Sequence, residues 1–197
     1  MLQAVLFDLD NTLIDRNRAF RACVQAQFAD VARQAQLLQL DQGGRGDRAA
    51  LFSFWEQQSG KPVDQAQFGK LLAAQIQPDR DLIQALQTHS KTFQLGLVTN
   101  GSSETQRAKI CAAQLEEVFP ANRIWISAEV GVAKPDAAIF LRACEALGVA
   151  PANCLHVGDH DQEDRRGAIQ AGLRARLVDS VLDPAKLNEL LAAEARR

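Results

Sequence analysis

No stretch of this 197-residue chain is apolar for long enough to span a bilayer, which needs about 20 consecutive apolar residues. No dense basic stripe occurs either. With 22 Lys and Arg against 24 Asp and Glu the formal net charge is -2, so nucleic acid is not the expected main partner. Cysteine is sparse and unclustered: Cys23, Cys111, Cys144 and Cys154 form no C-x-x-C, and buried free thiols in a reducing compartment are the expectation. Met1-Leu2-Gln3 leads straight into a strand pattern without a basic segment or a cleavage pattern. A signal peptide is therefore not expected, and the cytoplasm is the expected location. Repeats and low-complexity segments are also absent. Hydrophobic residues at 47% and charged residues at 23% fit an ordinary globular chain, long enough for one substantial domain or a domain with a small insert.

Against this background one segment stands out. Ala4-Val5-Leu6-Phe7 is an apolar run that reads as a strand buried on both faces, and it ends in Asp8-Leu9-Asp10-Asn11-Thr12. Uncompensated carboxylates at such a place are costly to desolvate. Residues i and i+2 of a strand point the same way, so both acids can face one point beyond the sheet edge, where a divalent cation would relieve their repulsion. An Asx turn or a helix cap is the bland alternative for either acid alone.

Three later segments repeat the theme. Leu95-Gly96-Leu97-Val98 leads into Thr99-Asn100-Gly101-Ser102; Gly131 to Asp136 places Lys134 before a helical pattern; Cys154-Leu155-His156-Val157 leads into Gly158-Asp159, with Asp164 five residues on. The carboxyl ends of strands in an open parallel sheet converge on one crevice, where ligands bind. Four acids, one hydroxyl and one lysine gathered there make a site for a metal and a phosphate.

Between the first strand and the rest, residues 16–78 carry no strand signal. Apolar residues recur at helical spacing over about 16–40, with Asp15 or Asn17 as cap, then over about 47–58 and 63–76. Gly43-Gly44-Arg45-Gly46 and Gly60-Lys61-Pro62 break these helices, and Pro78 closes the stretch. From Asp79 onward helices and strands alternate, with strands near 93–98, 123–127, 153–157 and 175–178 and helices near 81–90, 103–114, 135–147, 162–171 and 184–195. Asp183 and Pro184 suit the start of the last helix, and Arg196 and Arg197 the far end of its dipole. The predicted fold is α/β, a Rossmann-like five-stranded parallel sheet with helices on both faces. The predicted division is a core of residues 1–15 and 79–197 and an all-helical insert of residues 16–78.

At the quoted motifs the chain resembles the haloacid dehalogenase superfamily. Asp8-Leu9-Asp10-Asn11-Thr12 is similar to its first motif, Thr99 to its second, Lys134 to its third, and Gly158-Asp159 with Asp164 to its fourth. Two small departures are visible: Glu163 precedes Asp164 where the family often has Asn, and His160 follows Asp159 where a small polar residue is common.

The resemblance implies phosphoryl transfer through an aspartyl-phosphate, with Asp8 as nucleophile. It implies Mg²⁺ held by the Asp8 carboxylate, the Asp10 backbone carbonyl, Asp159, and Asp164 directly or through water. The Asp10 side chain would protonate the leaving oxygen and then deprotonate the attacking water. Thr99 and the amides of Asn100 and Gly101 would bond the phosphoryl oxygens, although the Thr99 hydroxyl also suits a helix cap. Lys134 would pair with Asp8 and a phosphoryl oxygen. The helical insert would be a cap that sits over the crevice and selects a small phosphorylated metabolite.

Competing readings follow from the same motifs. A 2-haloacid dehalogenase has no use for Asp10, since halide leaves without protonation. A phosphomutase shares every motif, and a non-catalytic protein would show a lost motif acid. Sugar phosphates, nucleotides, glycolate phosphate and flavin phosphate all remain open as substrates. Default readings apply elsewhere: Arg16, Arg18 and Arg45 as a solvated face, His160 as an exposed loop residue, His156 as a packed side chain, and Phe54 and Trp55 as packing between insert helices before substrate contacts.

Overall fold

The computed structural model describes residues 1–196; Arg197, expected at the end of the last helix, lies outside them. Five strands, β1 (Ala4–Phe7), β2 (Gln94–Thr99), β3 (Ile124–Ile126), β4 (Cys154–Gly158) and β5 (Arg174–Leu177), form one parallel sheet in the order β3-β2-β1-β4-β5. The most apolar run of the amino terminus becomes the central strand. All four of its residues are fully buried, and its alternation sends Val5 and Phe7 to one face and Ala4 and Leu6 to the other. On the Phe7 face pack α5 (Arg80–His89), α6 (Ser103–Ala112) and α10 (Pro184–Ala195); on the Leu6 face pack α8 (Ala137–Leu147) and the short α9 (Gly167–Gln170). A further short helix, α7 (Ser127–Val130), follows β3.

Between β1 and β2, before α5, lie α1 (Arg16–Gln27), α2 (Val31–Asp41), α3 (Arg48–Ser59) and α4 (Gln65–Ala73). The single helix expected over 16–40 is two. Phe28 is extended, and the Asp30 carboxylate accepts from the Arg33 amide 2.8 Å away, so a new helix starts at an aspartate the apolar spacing had passed over. These helices share their own hydrophobic cluster, in which Trp55 meets Phe28 at 5.0 Å and Phe68 at 6.4 Å between ring centroids. Trp55 is thus core, and Phe54 packs partly buried beside that core. Trp55→Ala is expected to destabilise the chain by about 3–5 kcal/mol, the range for a buried large aromatic. Denaturant unfolding would measure it, and an unaltered midpoint would refute this placement.

The helical region is docked on the sheet domain through α4 and α6. A side chain on Gly69 would collide with the Thr105 backbone, and the Gln65 side chain donates to the Thr105 hydroxyl at 3.1 Å. Among the described residues no helix is long and apolar enough to cross a membrane.

Candidate active site

The register brings the motif residues to one edge. Phe7 is level with Leu97 of β2 and Val157 of β4, so Asp8 leaves the sheet beside Gly158, with Thr99 one residue further along β2, at the point where strand order reverses. The Asp8 amide stays bonded to the Val157 carbonyl at 2.9 Å. Gly158 has no side chain to spare: a Cβ there would overlap the Asp164 carboxyl group, which packs directly over it. Asp164 gets there through a wide π-helical turn, residues 161–166, in place of the regular helix expected from 162. Both the Asp164 and Arg165 amides donate to the His160 carbonyl within that turn.

Lys134 is the hub. Its buried ammonium lies 2.6 Å from Asp8 Oδ1 and 2.6 Å from Asp164 Oδ1. Burial works against the Lys134 charge, but the two carboxylates outweigh it and raise its pKa. Asp8 feels burial most strongly; with Asp164 and Asp10 adding repulsion against the pull of Lys134, its carboxyl is pushed up to about 7. Burial also opposes the Asp164 charge, yet Lys134 and His156 overcome this and hold its pKa below the ordinary value. Asn100 fixes the lysine's loop, accepting from the Lys134 amide and donating to the Lys134 carbonyl, both at 2.9 Å. Its amide also donates to Glu163 at 3.2 Å, which gives the atypical Glu163 a local role.

Carboxylate oxygens of Asp8, Asp159 and Asp164 lie within 4.8 Å of one another. Hard oxygens at octahedral positions about 2.1 Å from an ion lie up to about 4.2 Å apart, so a small inward adjustment accommodates Mg²⁺. The raised pKa of Asp8 points the same way, because a cation there would replace a proton. The donor set therefore fits a divalent metal. The Asp10 side chain is not part of this cluster.

Asp10 instead turns to α6, and here the sequence reading missed two residues. Lys109 Nζ is 2.6 Å from Asp10 Oδ1, and Gln106 donates both to Asp10 Oδ2, at 3.2 Å, and to the Thr99 hydroxyl. Burial opposes the Asp10 charge; Lys109 and then Arg16 prevail and lower its pKa. The available signal was a glutamine and a lysine three apart on one face of the helix after the Thr99 loop. The helix cap proposed as a second use of Thr99 falls to Ser102, whose hydroxyl accepts from the Thr105 amide at 3.2 Å.

Other default readings change. His156 is more than a packed side chain: its Nε2 lies 2.9 Å from Asp164 Oδ1. Burial lowers its pKa against the pull of Asp164, so the neutral ring donates Nε2–H to the carboxylate. Arg16 is buried in a bidentate pair with Asp41, and Arg45 reaches across to both oxygens of Asp159 at 3.2 and 3.1 Å. Arg16 therefore does not belong to a solvated face, whereas Arg45 and Arg18 are exposed as expected, Arg45 with an ion pair to Asp159 added. His160 is half-buried and its ring accepts from the Glu163 amide at 3.2 Å.

Comparison with known proteins matches this layout. The profile of haloacid dehalogenase-like hydrolases covers residues 2–172. The glyceraldehyde 3-phosphate phosphatase of Methanopyrus kandleri is 31% identical over 199 residues, covering 88% of this chain and 82% of that one. The phosphoserine phosphatase of Thermus thermophilus is 47% identical over 90 residues, 46% of this chain and only 35% of that enzyme. The magnesium-bound HAD-hydrolase YfnB of Bacillus subtilis superposes with a TM-score of 0.72 over 96% of this chain and 98% of that one, at 21% identity, which establishes the shared fold. With a family profile spanning most of its length and the four motifs converging on one sheet edge, the chain belongs to the haloacid dehalogenase-like hydrolases.

Proposed function

We propose that this chain hydrolyses a phosphate monoester of a small metabolite through an aspartyl-phosphate on Asp8, with Mg²⁺ as cofactor. The observation that carries the reading is the Lys134 ammonium, 2.6 Å from both Asp8 and Asp164, beside a third carboxylate within metal-binding reach. Asp8, Asp159 and Asp164, with the Asp10 backbone carbonyl, are the residues to hold the cation. Bound there, Mg²⁺ would offset the repulsion between a carboxylate nucleophile and a dianionic phosphate. Lys134 orients Asp8 and supplies positive charge where it grows during transfer. Thr99 and the Asn100 and Gly101 amides would receive phosphoryl oxygens, the Gly101 amide exchanging the Ser127 hydroxyl it donates to at 3.0 Å and the Thr99 hydroxyl keeping its contact to Gln106. The phosphatase names of two relatives support this class of substrate.

Asp10 serves as acid and then base. Lys109 and Gln106 hold its carboxylate in one orientation, and the charge-paired state suits the second step, in which Asp10 takes a proton from water. An arriving phosphate dianion would raise its pKa and favour the protonated form needed first. A dehalogenase would have no use for this arrangement, so Asp10 with its two partners favours phosphate over halide as the group transferred. In this reading residues 16–78 are a cap domain on the core of residues 1–15 and 79–197, and closure of the cap excludes bulk water.

Chelator-stripped protein is expected to leave an aryl phosphate intact and to regain turnover when Mg²⁺ is restored. Undiminished hydrolysis in excess chelator would refute the metal-dependent reading.

A further inference from the structure

The substrate side of the site carries an inference that rests on the phosphatase reading and narrows it. Between Asp10 and the helical region lies a cavity of about 70 Å³, its walls including Asp10, Arg16, Arg48, Gln65, Ser102 and Lys109. Asp10, Asn100 and Gly101 line it, while Asp8 and Lys134 do not, so it runs from the acid/base and the loop after Thr99 to the helical region, where the part of a substrate beyond the phosphoryl group would extend. At about 10–15 Å³ for each water-sized unit, it holds roughly five to seven non-hydrogen atoms. That is the size of a two- or three-carbon hydroxy acid. A second phosphate group would fill most of it alone.

Its charge is unbalanced. Three cations reach the cavity wall, and Asp10 is the one carboxylate that does. Lys109 is committed to Asp10, and Arg16 to Asp41 behind the wall. Arg48 has only a share of that same Asp41, at 3.3 Å, and a contact to the Gly44 carbonyl at 3.3 Å, which leaves N–H donors to spare. Two guanidinium groups thus divide one carboxylate. Burial and the neighbouring Arg16 lower the Arg48 pKa despite Asp41, which marks a cation short of counter-charge. The group is also held in place: it stacks on Phe68 at 4.7 Å and on Phe52 at 5.9 Å from the ring centroids. A fixed, under-paired guanidinium on the wall of a small cavity suits a carboxylate, since its planar fork matches a carboxylate's two oxygens.

We propose that the substrate is the phosphate ester of a short hydroxy acid, and that Arg48 receives the carboxylate of its leaving group in this cavity. Arg48 is therefore a specificity-determining residue that acts on the part of the substrate that is not transferred.

The test compares 3-phosphoglycerate with glycerol 3-phosphate, esters of equal carbon count that differ in the carboxylate, and uses p-nitrophenyl phosphate as reference. With Mg²⁺ present, kcat/KM is expected to favour the acid by about 10- to 100-fold, the range a hydrogen bond to a charged group supplies. Arg48→Met keeps the apolar stem over Phe68 and is expected to bring the ratio of the two esters towards one, chiefly through KM for the acid. Arg48→Lys, which keeps the charge without the fork, should retain an intermediate ratio. If the wild-type protein turns over p-nitrophenyl phosphate but treats the two esters alike, the acid preference is refuted while the phosphatase reading stands. A folded Arg48→Met variant with an unchanged ratio refutes the role of Arg48. Inertness towards all three compounds refutes the phosphatase reading, and the substrate class with it. Should the variants not fold, the wild-type ratio decides the substrate class by itself.

Discussion

Asp8→Asn is expected to lower kcat by roughly 10⁴- to 10⁶-fold, the scale on which removing a covalent nucleophile disables hydrolases of other folds. The substitution keeps the size of the side chain and takes away only the charge that attacks. Lys134 loses one of its two carboxylates but retains Asp164 at 2.6 Å, so the buried ammonium stays paired and the fold should survive. Steady-state hydrolysis of an aryl phosphate, with thermal unfolding alongside, makes the measurement. Appreciable turnover by a folded Asp8→Asn protein would remove Asp8 as nucleophile.

The second large effect belongs to Asp10→Asn, and its size should depend on the substrate. General acid–base catalysis contributes about 10²- to 10⁴-fold, so alkyl phosphates, whose alkoxide must be protonated, should lose that much. A nitrophenyl ester, whose leaving group departs as a stable anion, should lose less. The variant leaves Lys109, which is almost entirely buried, facing a neutral amide where it had a carboxylate, so some loss of stability accompanies the change. Taking the ratio of alkyl to aryl turnover separates proton transfer from that repacking, because repacking weighs on both substrates. Equal losses on the two would argue that Asp10 positions neighbours and moves no proton.

These two experiments concern residues that stood out in the sequence for a local reason. Asp8 and Asp10 follow an uninterrupted apolar run, Thr99 and Asp159 end two others, and Asp15, Asp47 and Asp183 each stand one residue before a helix they cap. Strand periodicity, capping and the i, i+2 facing of two acids are fixed within a few residues, so the chain spells them out directly. The α/β class and the all-helical stretch between β1 and β2 were legible on the same ground. The break at residues 28–30 was not, since Phe28 continues the apolar spacing of the helix it ends and only the backbone bond pattern reveals Asp30 as a new start.

What the tertiary structure alone decided is the pairing of polar groups beyond the expected Lys134–Asp8 contact. Lys109 with Asp10, Arg45 with Asp159 and Gln106 with Asp10 join residues 99, 114 and 96 positions apart, and each reads in the sequence as an ordinary polar residue on a helix or loop. Arg16 looks like a solvated residue at the start of a helix until α2 brings Asp41 against it. His156 looks like strand filling until the wide turn after β4 swings Asp164 over Gly158 to meet it. Periodicity says which side of a helix or strand is buried, but a buried ionisable group is stable only with a partner, and the partner is chosen by how two distant elements pack. The motif acids and Lys134 were therefore written in the chain, whereas the partners that set their charge and orientation, and the cation left under-paired at Arg48, follow from the packing of the helical region and α6 against the sheet edge.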